Sequence, residues 1–166
     1  KFALSGPGAR SFLNMVRDPG MTALDLKSQL AANHVAKERM RRIYEDYGVE
    51  TVDTVSDALI EQSEQLVRER LSELPDGRWQ AREYVDMPGG SCTVQAVAIK
   101  EGDDLTYDFT GSSDQVELGI NCCYWATWGG MFAPIFPLLA WDVTWNEGVT
   151  RPISLIAPEG TVVNCI

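Results

Sequence analysis

The feature that most restricts the fold of this sequence is a change of hydrophobic period at Pro75-Asp76-Gly77. Before this strong turn signal, apolar residues recur every three to four positions, as on one face of an α-helix. After it they alternate with polar residues, as in a half-buried β-strand. Because each period fits only one kind of element, the sequence predicts a helical N-terminal part followed by a sheet.

Two long helices are predicted in the N-terminal part. The first is expected over 22–47, with Thr22 and Asp25 as a capping box and Gly48 as the residue that ends it. The second is expected over 51–73, where apolar residues again share one face. The short connection at Gly48 predicts that the two helices pack as an antiparallel hairpin.

Three polar residues fall inside the apolar face of the first helix. Asp25, Gln29 and Asn33 are spaced four residues apart, so their side chains stack along the helix. Such groups need hydrogen-bond partners or water. Either they form a buried network that holds the helix to its neighbours, which is the favoured interpretation, or they line a cleft. His34, at the edge of this face, is interpreted as a structural residue.

The part after the turn is predicted to be an antiparallel meander. Its strands are expected over 78–86, 92–100 and 105–110, and only short turns separate them. Two more strands are expected at the C-terminal end, over 150–156 and from Thr161 onward.

The segment from Cys122 to Trp141 contains no charged residue and is long enough to span a bilayer. It also contains two glycines and two prolines, and no Lys or Arg lies at its ends. A spanning helix normally has fewer helix breakers and more anchoring residues. The pattern therefore favours a buried central helix with Asn121 as its N-cap. A loop is expected over 142–148.

These elements predict an α+β fold with an N-terminal helical hairpin, an antiparallel β-meander, a buried central helix and C-terminal strands. The expected organisation is an irregular entry segment over 1–20, the hairpin over 21–74, and the sheet with the buried helix over 75–166. The chain begins at Lys1 without a leader and ends in a strand-like segment, so we expect either a single domain or an interior fragment of a longer subunit.

Charge and cysteine spacing argue against several classes of function. A net charge of −10 is unfavourable for binding a phosphate backbone, so no nucleic-acid partner is expected. The four cysteines, Cys92, Cys122, Cys123 and Cys165, lack the paired spacing of a zinc site and are interpreted as reduced thiols of a cytoplasmic protein. No Walker loop, dinucleotide fingerprint or nucleophile elbow is present in the sequence.

A second polar cluster begins where the third predicted strand ends. It comprises Asp108, Thr110, Ser112 and Asn121, with Gly111 among them to permit close backbone approach. Such groups can bind an anion or a substrate carbonyl. They can also form a tight turn in which Asp108 and Ser112 satisfy backbone donors, and spacing alone favours this turn.

At these residues the sequence resembles the hydantoinase B/oxoprolinase family. The resemblance rests on blocks that occur in order along nearly the whole chain: Asn14-x-Val16-Arg17, Asp25-Leu26-x-x-Gln29-x-Ala31-Ala32, Tyr47-Gly48, Leu74-Pro75-Asp76-Gly77, Asp108-Phe109-Thr110-Gly111-Ser112-Ser113, Gly119-x-Asn121 and Ala157-Pro158-Glu159-Gly160-Thr161.

The resemblance implies part of a B-type subunit in an ATP-dependent amidohydrolase that opens cyclic amides of the hydantoin, 5-oxoproline or lactam type. In this family a hydantoinase A-like subunit or domain binds ATP and phosphorylates the substrate oxygen, so ATP is expected through a partner in a hetero-oligomer. The family's metal ligands are expected in an N-terminal part outside this chain, and no metal is assigned here. The alternatives are a subunit of an ATP-dependent ketone carboxylase and a non-catalytic assembly module.

Carried over by resemblance, the residues expected to contact a small-molecule substrate are Asp25, Gln29, Asp108, Thr110, Ser112 and Asn121. Their expected role is positioning through hydrogen bonds. No nucleophile or general base is assigned.

Overall fold

A computed structural model describes residues 6–166, apart from the side chain of Pro7. The chain divides into two compact units, one ending at Val55 and the other comprising Ser56–Ile166. In chain order the elements are α1 Pro7–Asn14, α2 Pro19–Tyr47, α3 Val49–Ser72, β1 Gly77–Met87, β2 Gly90–Glu101, β3 Asp104–Asp108, α4 Tyr124–Leu139, α5 Glu147–Thr150 and β4 Ile153–Ile156. The predicted α+β class is confirmed.

The prediction of an irregular segment over 1–20 is wrong for most of the residues that the structure describes in that range. Helix α1 occupies Pro7–Asn14, and it begins with a proline in its first turn. Proline is favoured at this position because its fixed φ suits a helix and its missing N–H would have no partner there anyway. Gly-Pro-Gly therefore marks a helix start as well as a turn, and residues 1–5 lie outside the described residues.

Helix α2 begins earlier than the predicted capping box at Thr22 and Asp25. Its N-cap is Asp18, whose carboxylate accepts a hydrogen bond from the backbone N–H of Met21 at 3.0 Å. Pro19 follows in the first turn. An Asp-Pro pair supplies both the acceptor and the preset φ, and it therefore outcompetes the weaker Thr-x-x-Asp signal three residues later.

The expected buried network on α2 is not formed. Within the described residues, α2 contains no buried side chain, and Asp25, Gln29 and Asn33 are all exposed. Helix α2 contacts α1 in its own unit. Because most of α3 belongs to the other unit, the antiparallel packing of a helical hairpin stays a prediction.

Four strands form one sheet in the order β1-β2-β3-β4. Pairing is antiparallel between β1 and β2 and between β2 and β3, which confirms the meander. The expectation of a wholly antiparallel sheet is wrong, because β4 pairs parallel to β3 with Leu105 opposite Ile153. The connection between β3 and β4 contains α4 and α5 and is long enough for the crossover that a parallel pair requires.

The main core lies between α3, α4 and the sheet. Its members from the helices include Val67, Leu71, Phe132 and Ile135, and Leu105 and Ile153 join them from β3 and β4. The predicted central helix α4 is buried on this face only, since Trp125 and Leu138 are 73% and 75% exposed. In the described part of the chain, no helix is both long and apolar enough to cross a membrane.

Two predictions near the C-terminus are wrong. Residues from Thr161 onward form isolated bridges to Asp114 and Asn164 in place of a strand, after a turn at Gly160 with φ 79°. The expected loop over 142–148 contains the start of α5, which Asn146 caps by accepting from the N–H of Gly148 at 2.8 Å. An Asn-x-Gly sequence fits a turn equally well, so the sequence alone did not reveal this short helix.

Candidate functional site

The second polar cluster is a turn at the end of β3. The Asp108 carboxylate accepts a hydrogen bond from the backbone N–H of Thr110 at 2.8 Å, and Gly111 follows with φ 96°. A β-carbon at Gly111 would lie 2.8 Å from the side-chain amide nitrogen of Gln95, but that side chain can move, so the positive φ is what requires glycine. Asp108 is partly exposed and Thr110 is exposed, so the turn faces solvent.

Hydrogen bonding keeps Asp108 ionised. The side chain and then the backbone N–H of Thr110 hold the pKa of this carboxyl below its ordinary value of 3.8, and the positive charge of Arg78 acts in the same direction. A carboxylate with a lowered pKa is a good hydrogen-bond acceptor and a weak general base near neutral pH. The geometry therefore suits binding and positioning better than proton abstraction.

The adjacent serines extend the pairing of β2. The hydroxyl oxygen of Ser112 accepts from the backbone N–H of Gln95 at 3.1 Å, and the hydroxyl can donate to the carbonyl of Phe109 at 2.9 Å or to that of Gln95 at 3.2 Å. The hydroxyl oxygen of Ser113 accepts from the backbone N–H of Thr93 at 2.8 Å. Both hydroxyls are thus used by the backbone, as expected of a structural turn.

A pair of residues that sequence reasoning missed supports this turn from the sheet. Gln95 donates from its side-chain amide to the carbonyl of Thr110 at 2.9 Å, and its amide oxygen accepts from the Arg82 guanidinium. Arg82 and Gln95 are directly opposite each other in the β1–β2 ladder. The tight turn at Pro88-Gly89 fixes this register, so counting back from it would have identified the pair.

Asn121 holds the loop that follows the turn. The prediction that it is the N-cap of α4 is wrong. Its side-chain oxygen accepts from the N–H of Val116 at 3.0 Å, and its nitrogen donates to the carbonyls of Val116 and Leu118. The N-cap of α4 is Cys123, which makes no side-chain capping bond. The Asn121 side chain is used locally because Val116 offers it both a donor and an acceptor.

The structure brings three of the six predicted site residues into one turn: Asp108, Thr110 and Ser112. Asn121 holds the loop that follows this turn, whereas Asp25 and Gln29 are exposed on α2 in the other compact unit. Across residues 6–166, no group of three or more His, Cys, Asp or Glu side chains is arranged to hold a metal ion. The groups that the turn presents for interaction are the hydrogen-bonding side chains of Asp108, Thr110 and Ser112.

The Ser56–Ile166 unit also contains an open groove of about 520 Å³. It lies between α3 and residues 142–146, and none of the predicted site residues lines it. At its wall, Asn146 donates to the hydroxyl of Ser63 at 2.7 Å. The lining is mainly apolar, with Leu59, Ile60, Leu66 and Val143 among its residues.

Comparison with known sequences gives a match along nearly the whole chain. The family model for Hydantoinase B/oxoprolinase matches residues 8–166. A protein of Pseudomonas sp. (strain NS671), named as the candidate B-type subunit of a D-/L-hydantoinase, is 32% identical over 165 residues, covering 91% of this chain and 28% of that protein. The 5-oxoprolinase of Dictyostelium discoideum is 23% identical over 147 residues, covering 84% of this chain and 12% of that protein.

Two solved structures share the fold. The ATP-dependent caprolactamase from Pseudomonas jessenii superposes with a TM-score of 0.79 at 22% identity, covering 91% of this chain and 27% of that one. A nucleotide-free acetone carboxylase superposes with a TM-score of 0.78 at 18% identity, covering 93% and 23%. This chain thus spans less than a third of the length of each of these relatives. Because the family model matches nearly all of it, the chain belongs to the hydantoinase B/oxoprolinase family.

Proposed function

We propose that this chain is part of a B-type subunit of an ATP-dependent amidohydrolase that opens cyclic amides. The observation that carries the proposal is the 32% identity, over 91% of the chain, to the B-type hydantoinase protein of Pseudomonas sp.. The shared fold with an ATP-dependent caprolactamase, which is named for a lactam, supports the same class of substrate. Hydantoins, 5-oxoproline and lactams all contain a ring amide with an N–H donor and a carbonyl acceptor.

The turn at Asp108 is suited to hold such a ring. An ionised carboxylate has about four acceptor positions, and the Thr110 bonds leave capacity for a substrate N–H. A charge-assisted bond of this kind is about twice as strong as a neutral one. Asp108 and Thr110 are therefore the residues of this turn that we propose to contact substrate.

In this proposal, two of the other four predicted residues support loops and two contact the substrate. Ser112 and Asn121 hold the two loops in place, because their polar atoms already bond the backbone. Asp25 and Gln29 present exposed polar groups on α2 and are proposed as further substrate contacts. No residue is proposed as a nucleophile.

The proposed partner is a hydantoinase A-like protein or domain that binds ATP and phosphorylates the substrate carbonyl oxygen. Phosphorylation converts a poor leaving group into a good one, and the B-type component then directs water to the activated carbon. The naming of the Pseudomonas sp. relative as one subunit of a hydantoinase supports a hetero-oligomer. Co-purification of the full-length protein with an A-type partner, with substrate-dependent ATP hydrolysis only in the mixture, tests this part.

The test of the site is Asp108→Asn in the complete enzyme. Asparagine can still accept from the N–H of Thr110, but it lacks the charge, so we expect substrate-dependent ATP turnover to fall at least tenfold, which corresponds to about 1.4 kcal/mol. Asp114→Asn is the matched control, since Asp114 is an exposed carboxylate on the same loop. Full activity of Asp108→Asn, with an unchanged melting temperature, would show that the turn does not bind substrate.

A second candidate is an ATP-dependent ketone carboxylase, because acetone carboxylase shares the fold with almost the same TM-score. Bicarbonate-dependent product formation from a simple ketone would select it. Ring opening of a hydantoin, 5-oxoproline or a lactam without bicarbonate would select the amidohydrolase. If Asp25→Asn and Asp108→Asn both keep full activity, this chain acts as an assembly module.

A further inference from the structure

Two cysteines that are distant in the sequence are joined through their backbones. The N–H of Cys165 donates to the carbonyl of Cys122 at 2.9 Å, and the N–H of Cys122 donates to the carbonyl of Val162 at 2.8 Å. Both side chains are free thiols; Cys122 is exposed and Cys165 is partly exposed. The proposed function uses neither thiol.

The hydrogen bond between Cys165 and Cys122 keeps the backbones of the two residues close together. One N–H···O=C bond of 2.9 Å, together with the covalent bonds on either side of it, limits the distance between the two Cα atoms to at most about 7 Å. Disulfides join Cα atoms that are about 4.4–6.8 Å apart. The separation that this hydrogen bond permits overlaps the disulfide range, so a bond between Cys122 and Cys165 requires no large movement of the backbone.

The adjacent Cys123 is a poorer partner for Cys165. Its backbone is extended, with φ −78° and ψ 162°. Adjacent side chains on such a backbone point in different directions, so Cys122 and Cys123 are not equivalent partners for Cys165. Cys122 is the one whose backbone is bonded to Cys165. We propose that Cys122 and Cys165 form a reversible disulfide that makes this part of the chain sensitive to peroxide.

The chemical step is balanced with hydrogen peroxide as the oxidant. The exposed Cys122 thiolate attacks peroxide, the O–O bond breaks, and a sulfenic acid forms with release of one water after proton transfer. The Cys165 thiolate then attacks the Cys122 sulfur, the S–O bond breaks, and a second water leaves. Two thiols and one peroxide thus give one disulfide and two waters. A dithiol reductant reverses the step by thiol–disulfide exchange.

The disulfide would connect two loops near the candidate site. Cys122 directly follows Asn121, which fastens residues 116–121, and Cys165 directly follows Asn164, whose side chain donates to the carbonyl of Ala157 at 2.8 Å. Oxidation would therefore add a covalent link between these loops, next to the hydrogen bond that now joins them. We expect slower local opening of residues 116–122 in the oxidised protein.

Peptide mapping of the peroxide-treated full-length protein tests the pairing. Cleavage after glutamate places Cys122 and Cys123 in a peptide covering 118–147, because Glu117 and Glu147 flank it, and places Cys165 in a peptide that begins at Gly160. The expected product is a cross-link between these two peptides that disappears on reduction. A link within 118–147, or no link at an excess of peroxide, would overturn the proposal.

Native alkylation with iodoacetamide identifies the residues without any variant. After peroxide, labelling of Cys122 and Cys165 should fall at least tenfold, labelling of Cys123 should persist, and Cys92, which is 3% exposed, should stay unlabelled throughout. As matched variants, Cys123→Ser should keep the cross-link and Cys122→Ser should abolish it. Loss of the cross-link only in Cys123→Ser would refute the assignment to Cys122.

Discussion

Helix α5 lies so close to α3 that adding a single methyl group at their contact should push the two helices apart. Gly148 is the second residue of α5 and is buried. A β-carbon placed on it would lie well inside van der Waals contact with the carbonyl oxygen of Ile60, and 2.9 Å from the backbone nitrogen of Glu64. The obstructing atoms are backbone atoms within α3, so they cannot rotate away as a side chain would. Gly148→Ala therefore requires α5 to move.

The cost of this movement can be assembled from the contacts that hold α5. Overpacking of a close-packed site costs about 1–3 kcal/mol. Displacement of α5 also strains the hydrogen bond of 2.7 Å from Asn146 to Ser63, worth about 1 kcal/mol, and opens the contact of Val149, which is 1% exposed. We expect Gly148→Ala to lower the free energy of unfolding by about 2–4 kcal/mol.

Urea denaturation followed by circular dichroism would measure this change, with Gly129→Ala as the matched control. Gly129 lies in α4, and a β-carbon there would meet nothing within 4 Å. Alanine is a better helix former than glycine, so the control should gain about 0.5–1 kcal/mol. If both variants are stabilised, α5 does not approach α3 as closely as the structure shows.

Three further predictions concern single contacts in the Ser56–Ile166 unit. Lys100 is 4% exposed and donates to the Leu74 carbonyl at 2.6 Å and to the Asp76 carboxylate at 2.7 Å, so Lys100→Met should lower urea stability by about 1–3 kcal/mol. The bonds that Asp76 accepts hold its pKa below 3.8, so stability should be lost as pH falls through that lowered pKa, and Asp76→Asn should flatten this dependence. Asn121→Ala should speed hydrogen exchange at the Val116 amide by about tenfold.

The pH prediction has a definite sign. The folded-state pKa of Asp76 is lower than its unfolded value, so the unfolded chain binds a proton first as pH falls. The contribution is fully present above the unfolded pKa, and it disappears below the folded one. If the urea midpoints of the wild type and of Asp76→Asn change with pH in the same way across this acidic range, protonation of Asp76 does not affect stability and the prediction is wrong.

The elements that sequence predicted well are those with strong periodicity and clear turns. Helix α3 and strands β1 to β3 were located to within a few residues, because Pro75-Asp76-Gly77 and the glycine-containing turns around β2 leave little freedom in where each element ends. Helices α1 and α5 were missed because they are short and start beside residues that also favour turns, Pro7 as the first residue of α1 and Asn146 as the N-cap of α5. The parallel pairing of β4 depends on a crossover, which local pattern does not reveal.

The position of the polar turn after β3 could be predicted from the sequence, but the residues that support it could not be predicted as easily. That polar groups gather after β3 followed from the end of an alternating pattern at Asp108. The position of Arg82 and Gln95 behind the turn depends on the register of β1 and β2. That register is found only by counting residues back from the hairpin turn at Pro88-Gly89. The exposure of Asp25 and Gln29 could not be predicted, because an apolar helical face indicates burial without naming the surface that buries it.

Residue type alone also cannot separate a polar group that binds ligand from one that the backbone already uses. Ser112 and Asn121 carry the same donors and acceptors as residues that bind substrates, yet in this fold their polar atoms are occupied by the backbone of Gln95, Phe109, Val116 and Leu118. Asp108 differs because a carboxylate has more acceptor positions than Thr110 fills. The capacity left after internal bonds are counted therefore makes Asp108 a stronger candidate for substrate contact than Ser112, which shares its turn.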